Sequence, residues 1–144
     1  MNLRTLKRNE TFERDLNMAK PKTPQPTDRE LAILRILWDE GPSTVRRVNE
    51  VMNKEKATGY TTTLKLMQIM TEKGLLIRDD SHFKHIYKPA GDEEKTQKQL
   101  VGDLLERAFS GSAEKLVMRA LSAKKVSPQE LNKIRKMVDK MQGE

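Results

Sequence analysis

Residues 59–88, GYTTTLKLMQIMTEKGLLIRDDSHFKHIYK, read as one helix running into a charged two-stranded hairpin. The first turn of that helix carries Tyr60, Thr61, Thr62, Thr63 and Lys65, a dense set of hydrogen-bonding groups. Leu64, Leu66, Met67, Ile69 and Met70 on the later turns require a core. Lys73-Gly74 then supplies a cation in the last turn and a glycine able to take the left-handed cap conformation. A helix with a hydroxyl-rich start and an apolar body suits insertion of its N-terminus into a DNA major groove. The hairpin behind it reads as the wing of a winged helix-turn-helix: Leu75–Arg78 and Lys84–Tyr87 as strands, Asp79-Asp80-Ser81 as the turn, and Pro89 as the stop.

Working upstream, Thr27 with Glu30 three residues on matches a capping box. The helix it opens places Leu31, Leu34, Leu37 and Trp38 on one face, widened by Ile33 and Ile36. Gly41-Pro42 stops it, and Ser43 is the expected N-cap of a second helix buried through Val45, Val48, Val51 and Met52. Asn53-Lys54-Glu55-Lys56 closes that helix. Three short helices and a hairpin, in this order, predict a mainly α winged helix domain over residues 27–90. Residues 1–26 form a basic leader ending in KPKTPQP, which composition reads as extended. A weak amphipathic helix over Leu3–Leu16 fits there. Met18 looks like a natural start, which would make 1–17 an upstream-start artefact or a dispensable arm.

Downstream, 91–144 is purely helical in pattern. Leu100, Val101, Leu104, Leu105 and Ala108 line one helix, which Ser110-Gly111-Ser112 interrupts. Leu116, Val117, Ala120 and Leu121 line the next. Ser127-Pro128-Gln129-Glu130 opens a third with an N-cap serine, a proline at the first position and a glutamate to close the box. On it Leu131, Ile134, Val138 and Met141 recur at spacings of 3, 4 and 3, a short heptad seam. Such helices are expected to bury their stripes against a second copy, giving a homodimer. Packing back on the winged domain is the alternative.

The net charge of +7 favours polyanionic partners, but it is spread as +3 over 1–26, +2 over 27–90 and +2 over 91–144. A solvated basic surface accounts for it equally well. With no cysteine, disulfides, thiolate metal sites and cysteine nucleophiles are excluded. No apolar run approaches the ~20 residues that span a bilayer, and no signal peptide is apparent. The expected compartment is the cytoplasm.

Operator contacts are expected from Tyr60, Thr61, Thr62, Thr63 and Lys65, whose hydroxyls and ammonium suit phosphates and base edges. Equally, TTT reads as the capped start of an ordinary helix. Arg46 and Arg47 suit a backbone clamp or a merely solvated pair, and Arg78, His82 and Lys84 a flanking contact that Asp79 and Asp80 oppose. His82 and His85 lack further ligands at metal-binding spacing, so no metal site is expected, and Met67 and Met70 read as core filler. Nothing resembles a nucleophile–base–acid set or a phosphate-cradling loop. No catalytic residue, cofactor or small-molecule substrate is expected.

Four stretches, LAILRILWDEGPSTVRRVNEVMN, GYTTTLKLMQIMTEKGLLIRDD, HIYKPA and QLVGDLLERAFSGSAEKLVMRAL, give the chain a further reading. From Thr27 to about Met141 it resembles the penicillinase repressor family, the BlaI/MecI/CopY group of bacterial transcriptional regulators. The resemblance implies an N-terminal winged helix, a C-terminal helical dimerisation region carrying Leu100, Leu104, Leu116, Leu121, Leu131, Ile134, Val138 and Met141, and pseudo-palindromic double-stranded operators with TACA/TGTA-like half-sites. It also implies that Tyr60 to Thr63 and Lys65 lie on the recognition helix. In relatives controlling β-lactam resistance, a membrane sensor metallopeptidase leads to cleavage of the repressor within its dimerisation region. The corresponding stretch here includes Arg107, Ala108, Phe109 and Ser110. Copper-responsive members use C-terminal cysteines, which this chain lacks. The competing reading is a winged helix serving as a protein–protein interaction module without sequence-specific DNA binding.

Overall fold

The computed structural model describes residues 25–143; the readings for the leader, including Leu3–Leu16 and Met18, fall outside them apart from its last two residues. Among the described residues there are six helices and one hairpin: α1 (Asp28–Glu40), α2 (Val45–Met52), α3 (Tyr60–Glu72), β1 (Leu76–Asp79), β2 (Ile86–Pro89), α4 (Glu93–Phe109), α5 (Ala113–Ala123) and α6 (Pro128–Gly143). The fold is mainly α, with a winged helix at its N-terminal end. Two compact units divide between Gln97 and Lys98.

Helix α1 begins with the expected capping box. Glu30 N donates to Thr27 Oγ1 (3.2 Å) and Thr27 N to Glu30 Oε1 (2.9 Å). It ends where Gly41 takes a positive φ of 86°. The buried stripe is Glu30, Ile33, Leu34 and Leu37, turned slightly from the expected one, so Leu31 and Trp38 are only half-buried. The cap of α2 also differs: Thr44, not Ser43, accepts from Arg47 N (3.2 Å). Ser43 is committed elsewhere, since its backbone exchanges both hydrogen bonds with Tyr87 (3.0 and 2.8 Å) and its hydroxyl donates to Gly41 O. That single bridge adds a third, one-residue strand to the wing and ties the α1–α2 turn to it.

The C-terminus of α3 is a Schellman motif. Leu75 N bonds Met70 O (2.8 Å) and Gly74 N bonds Thr71 O (3.1 Å), with Gly74 at φ 84°. The chain reverses there into the antiparallel hairpin, which pairs Leu76 with Pro89 and Asp79 with Ile86. Its strands lie one to two residues later than expected, which leaves Lys84 and His85 in a six-residue wing loop rather than in a strand. The reason is local: Asp79 accepts from Ser81 N (2.9 Å) and Ser81 Oγ (2.6 Å), folding the loop on itself before pairing can extend.

The core of this unit is Ile33, Leu34 and Leu37 from α1, Val45 and Val48 from α2, Met67 and Met70 from α3, with Leu75, Leu76 and Tyr87. Each large apolar side chain buried there contributes about 1.5–3 kcal/mol relative to exposure. This packing fixes the rotation of α3, and hence which of its first-turn side chains face outward.

The second unit is different in kind. Helix α5 starts after a left-handed pair, Ser110 (φ 50°) and Gly111 (φ 77°), with Ser112 as N-cap. Helix α6 starts with Glu130 N donating to Ser127 Oγ (3.1 Å), and no return bond from the glutamate occurs among the described residues. None of α4, α5 and α6 contains a buried residue. Leu104, Val117, Leu131, Val138 and Met141 are all exposed. Among the described residues, no helix is long and apolar enough to cross a membrane.

Candidate nucleic-acid interface

Helix α3 has Gly59 as N-cap, with no side chain closing its first turn. Its leading N–H groups therefore carry no side-chain cap, the arrangement that suits an anion. Tyr60, Thr61, Thr62 and Lys65 are exposed there. Neither the Thr61 nor the Thr62 hydroxyl bonds another group among the described residues, so these threonines do not serve as the helix's own cap.

Thr63 does not belong with them. It is fully buried, which removes it from any contact with DNA. Its hydroxyl accepts from Asn49 Nδ2 (2.8 Å) and lies 3.4 Å from Gly59 O. Helical phase explains the correction, since Thr63, Met67 and Met70, at spacings of 4 and 3, occupy the face turned to the core.

Asn49 is the organising residue that sequence reasoning missed. The same amide also donates to Thr58 O (2.9 Å), while Asn53 Nδ2 donates to Asn49 Oδ1 (3.1 Å) and Thr58 N to Asn53 Oδ1 (2.6 Å). These bonds stitch the α2–α3 turn and set the start of α3. The signal was available: Asn49 lies on the inner stripe with Val45, Val48 and Met52, where a polar residue needs partners. Asn49→Ala is expected to cost about 1–3 kcal/mol, measured by urea unfolding, because Thr63 and Thr58 lose a donor in a part-buried setting. An unchanged midpoint would show that water replaces the amide.

The two arginines of α2 part company. Arg47 binds Glu40 through Nε (2.8 Å) and a terminal nitrogen (2.7 Å), with Glu50 at 3.4 Å. Arg47's hydrogen bond holds the Glu40 carboxyl below its ordinary range, so this side chain is an internal strut, not a clamp. Arg46 is exposed and makes no ion pair among the described residues.

A cleft of about 480 Å³ joins these elements. Arg46 of α2, Tyr60 and Leu64 of α3, and Lys84, His85 and Tyr87 of the wing line it. The structure thus brings Tyr60, Arg46 and Lys84 together, with Thr61, Thr62 and Lys65 on the adjoining turns. In the wing itself, Arg78 pairs with Asp80 (2.7 Å), which also meets His85 Nδ1 (2.5 Å), and His82 lies 3.7 Å from Asp79. Arg78's hydrogen bond lowers the Asp80 pKa, and the Ser81 hydroxyl and N–H lower that of Asp79. Both acids stay ionised and are internally answered, which reduces the repulsion they would present to a phosphate. No group of three acidic, His or Cys side chains able to hold a metal occurs among the described residues.

The dimerisation candidates all lie in the second unit. Leu100, Leu116, Leu121 and Ile134 are half-buried, whereas Leu104, Leu131, Val138 and Met141 are exposed. Arg107, Ala108 and Phe109 form the last turn of α4, and Ser110 is the first residue of the left-handed link.

Compared with known proteins, the chain is 35% identical over 89 residues to "Transcriptional regulator BlaI" of Mycobacterium tuberculosis, covering 59% of this chain and 63% of that one. It thus spans under two thirds of that relative's length. It is 21% identical over 118 residues to "Penicillinase repressor" of Bacillus licheniformis, covering 82% and 92%. Among solved structures, a MarR family protein from Bacillus stearothermophilus aligns with a TM-score of 0.42 at 24% identity over 99% of both chains. A MarR family regulator from Silicibacter pomeroyi aligns at 0.38 and 19%, over 96% and 82%. Likenesses this loose add nothing to the fold derived above. The sequence model of the penicillinase repressor, in contrast, matches residues 26–140, from the start of α1 into α6, and the chain belongs to that family, one of transcriptional repressors and not of enzymes.

Proposed function

We propose that the protein is a homodimeric repressor that reads palindromic operators by placing the N-terminus of α3 in the major groove. The observation carrying this reading is the outward face shared by Tyr60, Thr61, Thr62 and Lys65, flanked by Arg46 and Lys84 at one cleft. Hydroxyls and cations on an uncapped helix start match phosphate and base edges, and no side chain among the described residues engages the Thr61 or Thr62 hydroxyl. The relatives' printed names, a transcriptional regulator and a penicillinase repressor, fit the same reading.

Residues 91–144 serve as the dimerisation region in this account. Three amphipathic helices with no fully buried residue among the described residues gain their missing core from a second copy. Relief of repression by a membrane sensor metallopeptidase would act at the α4–α5 joint. Of the cleavage stretch, Arg107 to Phe109 are held in helix, whereas Ser110-Gly111 is a non-helical link a protease can engage with less unwinding.

Purified protein mixed with sheared DNA of its own host, with bound fragments sequenced at two salt concentrations, tests the reading. A few palindromic sites recovered at both salts are the expected result. Diffuse binding that vanishes at the higher salt, as counterion release dictates for phosphate contacts alone, would instead favour the interaction-module reading. On a recovered site, Thr62→Ala is expected to lose roughly 1–3 kcal/mol of binding by reading one base pair less. Unchanged affinity in a gel-shift titration would remove Thr62 from the interface.

A further inference from the structure

Phe83 stands at the tip of the wing loop with its side chain fully exposed, at 101% of the reference value. An aromatic ring wholly in water gains nothing for the fold, and its loop neighbours are Ser81, His82, Lys84 and His85. It is a lone ring in a polar setting, unlike the contiguous apolar patch that marks a protein-binding surface. The adjoining Lys84 and His85 line the cleft that also holds Arg46 and Tyr60, so the ring lies next to the proposed DNA face. The acids that would oppose a polyanion here, Asp79 and Asp80, are engaged by Ser81, Arg78 and His85.

We propose that Phe83 is a minor-groove wedge, inserted beside the half-site while Arg46 and Lys84 hold the intervening phosphate backbone. This rests on the operator-binding reading above and adds to it a second groove, read through base-step deformability instead of hydrogen bonds. Apolar side chains inserted between base steps favour flexible pyrimidine–purine steps and a groove free of the guanine 2-amino group.

The test measures affinities of the full-length wild type, Phe83→Ala and Phe83→Leu for three duplexes carrying one footprinted operator. The first has flanking TA steps, the second has G·C pairs in their place, and the third is trimmed to the half-sites. Wild type is expected to prefer the TA-flanked duplex. Phe83→Ala should bind it roughly ten- to a hundredfold more weakly, the loss expected for returning one buried phenyl ring to water, and should not distinguish flanks. Phe83→Leu should fall between, and all three proteins should converge on the trimmed duplex. Since Phe83 contacts no core residue, the variants are expected to melt with wild type.

Equal binding of wild type and Phe83→Ala to both flanked duplexes would overturn the wedge and leave the repressor reading standing. A loss by Phe83→Ala of the same size on all three duplexes would also overturn it, because the ring would then act away from the flank. Failure of wild type to retain any duplex specifically would instead remove the operator reading on which the wedge rests.

Discussion

Ile134→Asp is expected to leave a monomer that no longer holds its operator. Ile134 sits, half-buried, in the seam of Leu131, Val138 and Met141 on α6, and no residue of that helix is fully buried among the described residues. If a second copy supplies the missing contacts, each protomer of the variant brings a carboxylate to a surface that must be stripped of water. That cost opposes association at every pairing of the seam. The winged unit, with its own core, should stay folded. Its operator affinity should nevertheless fall by ~100-fold or more, because two half-sites on one dimer raise the effective concentration of the second contact. Sedimentation velocity and gel-shift titration read the two effects separately. Lys136→Asp, which places the same charge about 200° around the helix from Ile134, is the control and should remain dimeric. A variant at Ile134 that sediments as an intact dimer would show that the seam lies elsewhere.

The part of the fold that the sequence states most clearly is the part governed by local rules. The Thr27/Glu30 box, the Gly41 stop and the Gly74 reversal each involve residues within five positions of one another, and all three form as read, although Lys73 lies just past the last turn as the C-cap and sends its ammonium to Glu30 instead. Phase and register were harder. Three consecutive threonines offer no local clue to which one turns inward; the choice follows from Met67 and Met70 docking on α1 and α2, which places Thr63 against Asn49. Ser43 and Thr44 are both competent caps, and the decision was made by Tyr87, forty-four residues away, which takes the Ser43 backbone into the wing. Arg46 and Arg47 are adjacent and chemically identical, yet only Arg47 finds Glu40, seven residues upstream across the α1–α2 turn. Helical pattern alone could not show whether the stripes on α4 to α6 are satisfied within the chain. The structure leaves them exposed or half-buried, with no residue fully buried, which is why a second copy enters the functional account at all.

Lys73→Ala should destabilise the winged unit more than Glu30→Ala does, although the two remove the same ion pair. Glu30 is 2% exposed and its carboxylate takes both bonds from Lys73 Nζ, at 3.1 and 2.9 Å. Lys73 follows directly on α3, so this pair fastens the far end of the proposed recognition helix to the first turn of α1. Removing Glu30 loses the pair and half of the capping box, about 2–3 kcal/mol, while the partly exposed ammonium of Lys73 finds water. Removing Lys73 instead strands a carboxylate in the interior, which costs about 3–5 kcal/mol. Acid should narrow both losses. Burial pushes the Glu30 pKa up, but the Thr27 N–H together with the hydrogen bond and charge of Lys73 outweigh it and hold the group below its ordinary 4.5. In the wild type the pair's contribution is therefore full above that value and lost as pH falls through the lower, folded-state value. Without Lys73, burial is opposed by the Thr27 bonds alone, so part of that lowering is lost. Both deficits should accordingly shrink as pH falls towards the lower, folded-state value. Urea unfolding at neutral pH and in acid, at one protein concentration, reads this directly. Equal, pH-independent losses in the two variants would mean that Glu30 is solvated and acts only as a helix cap.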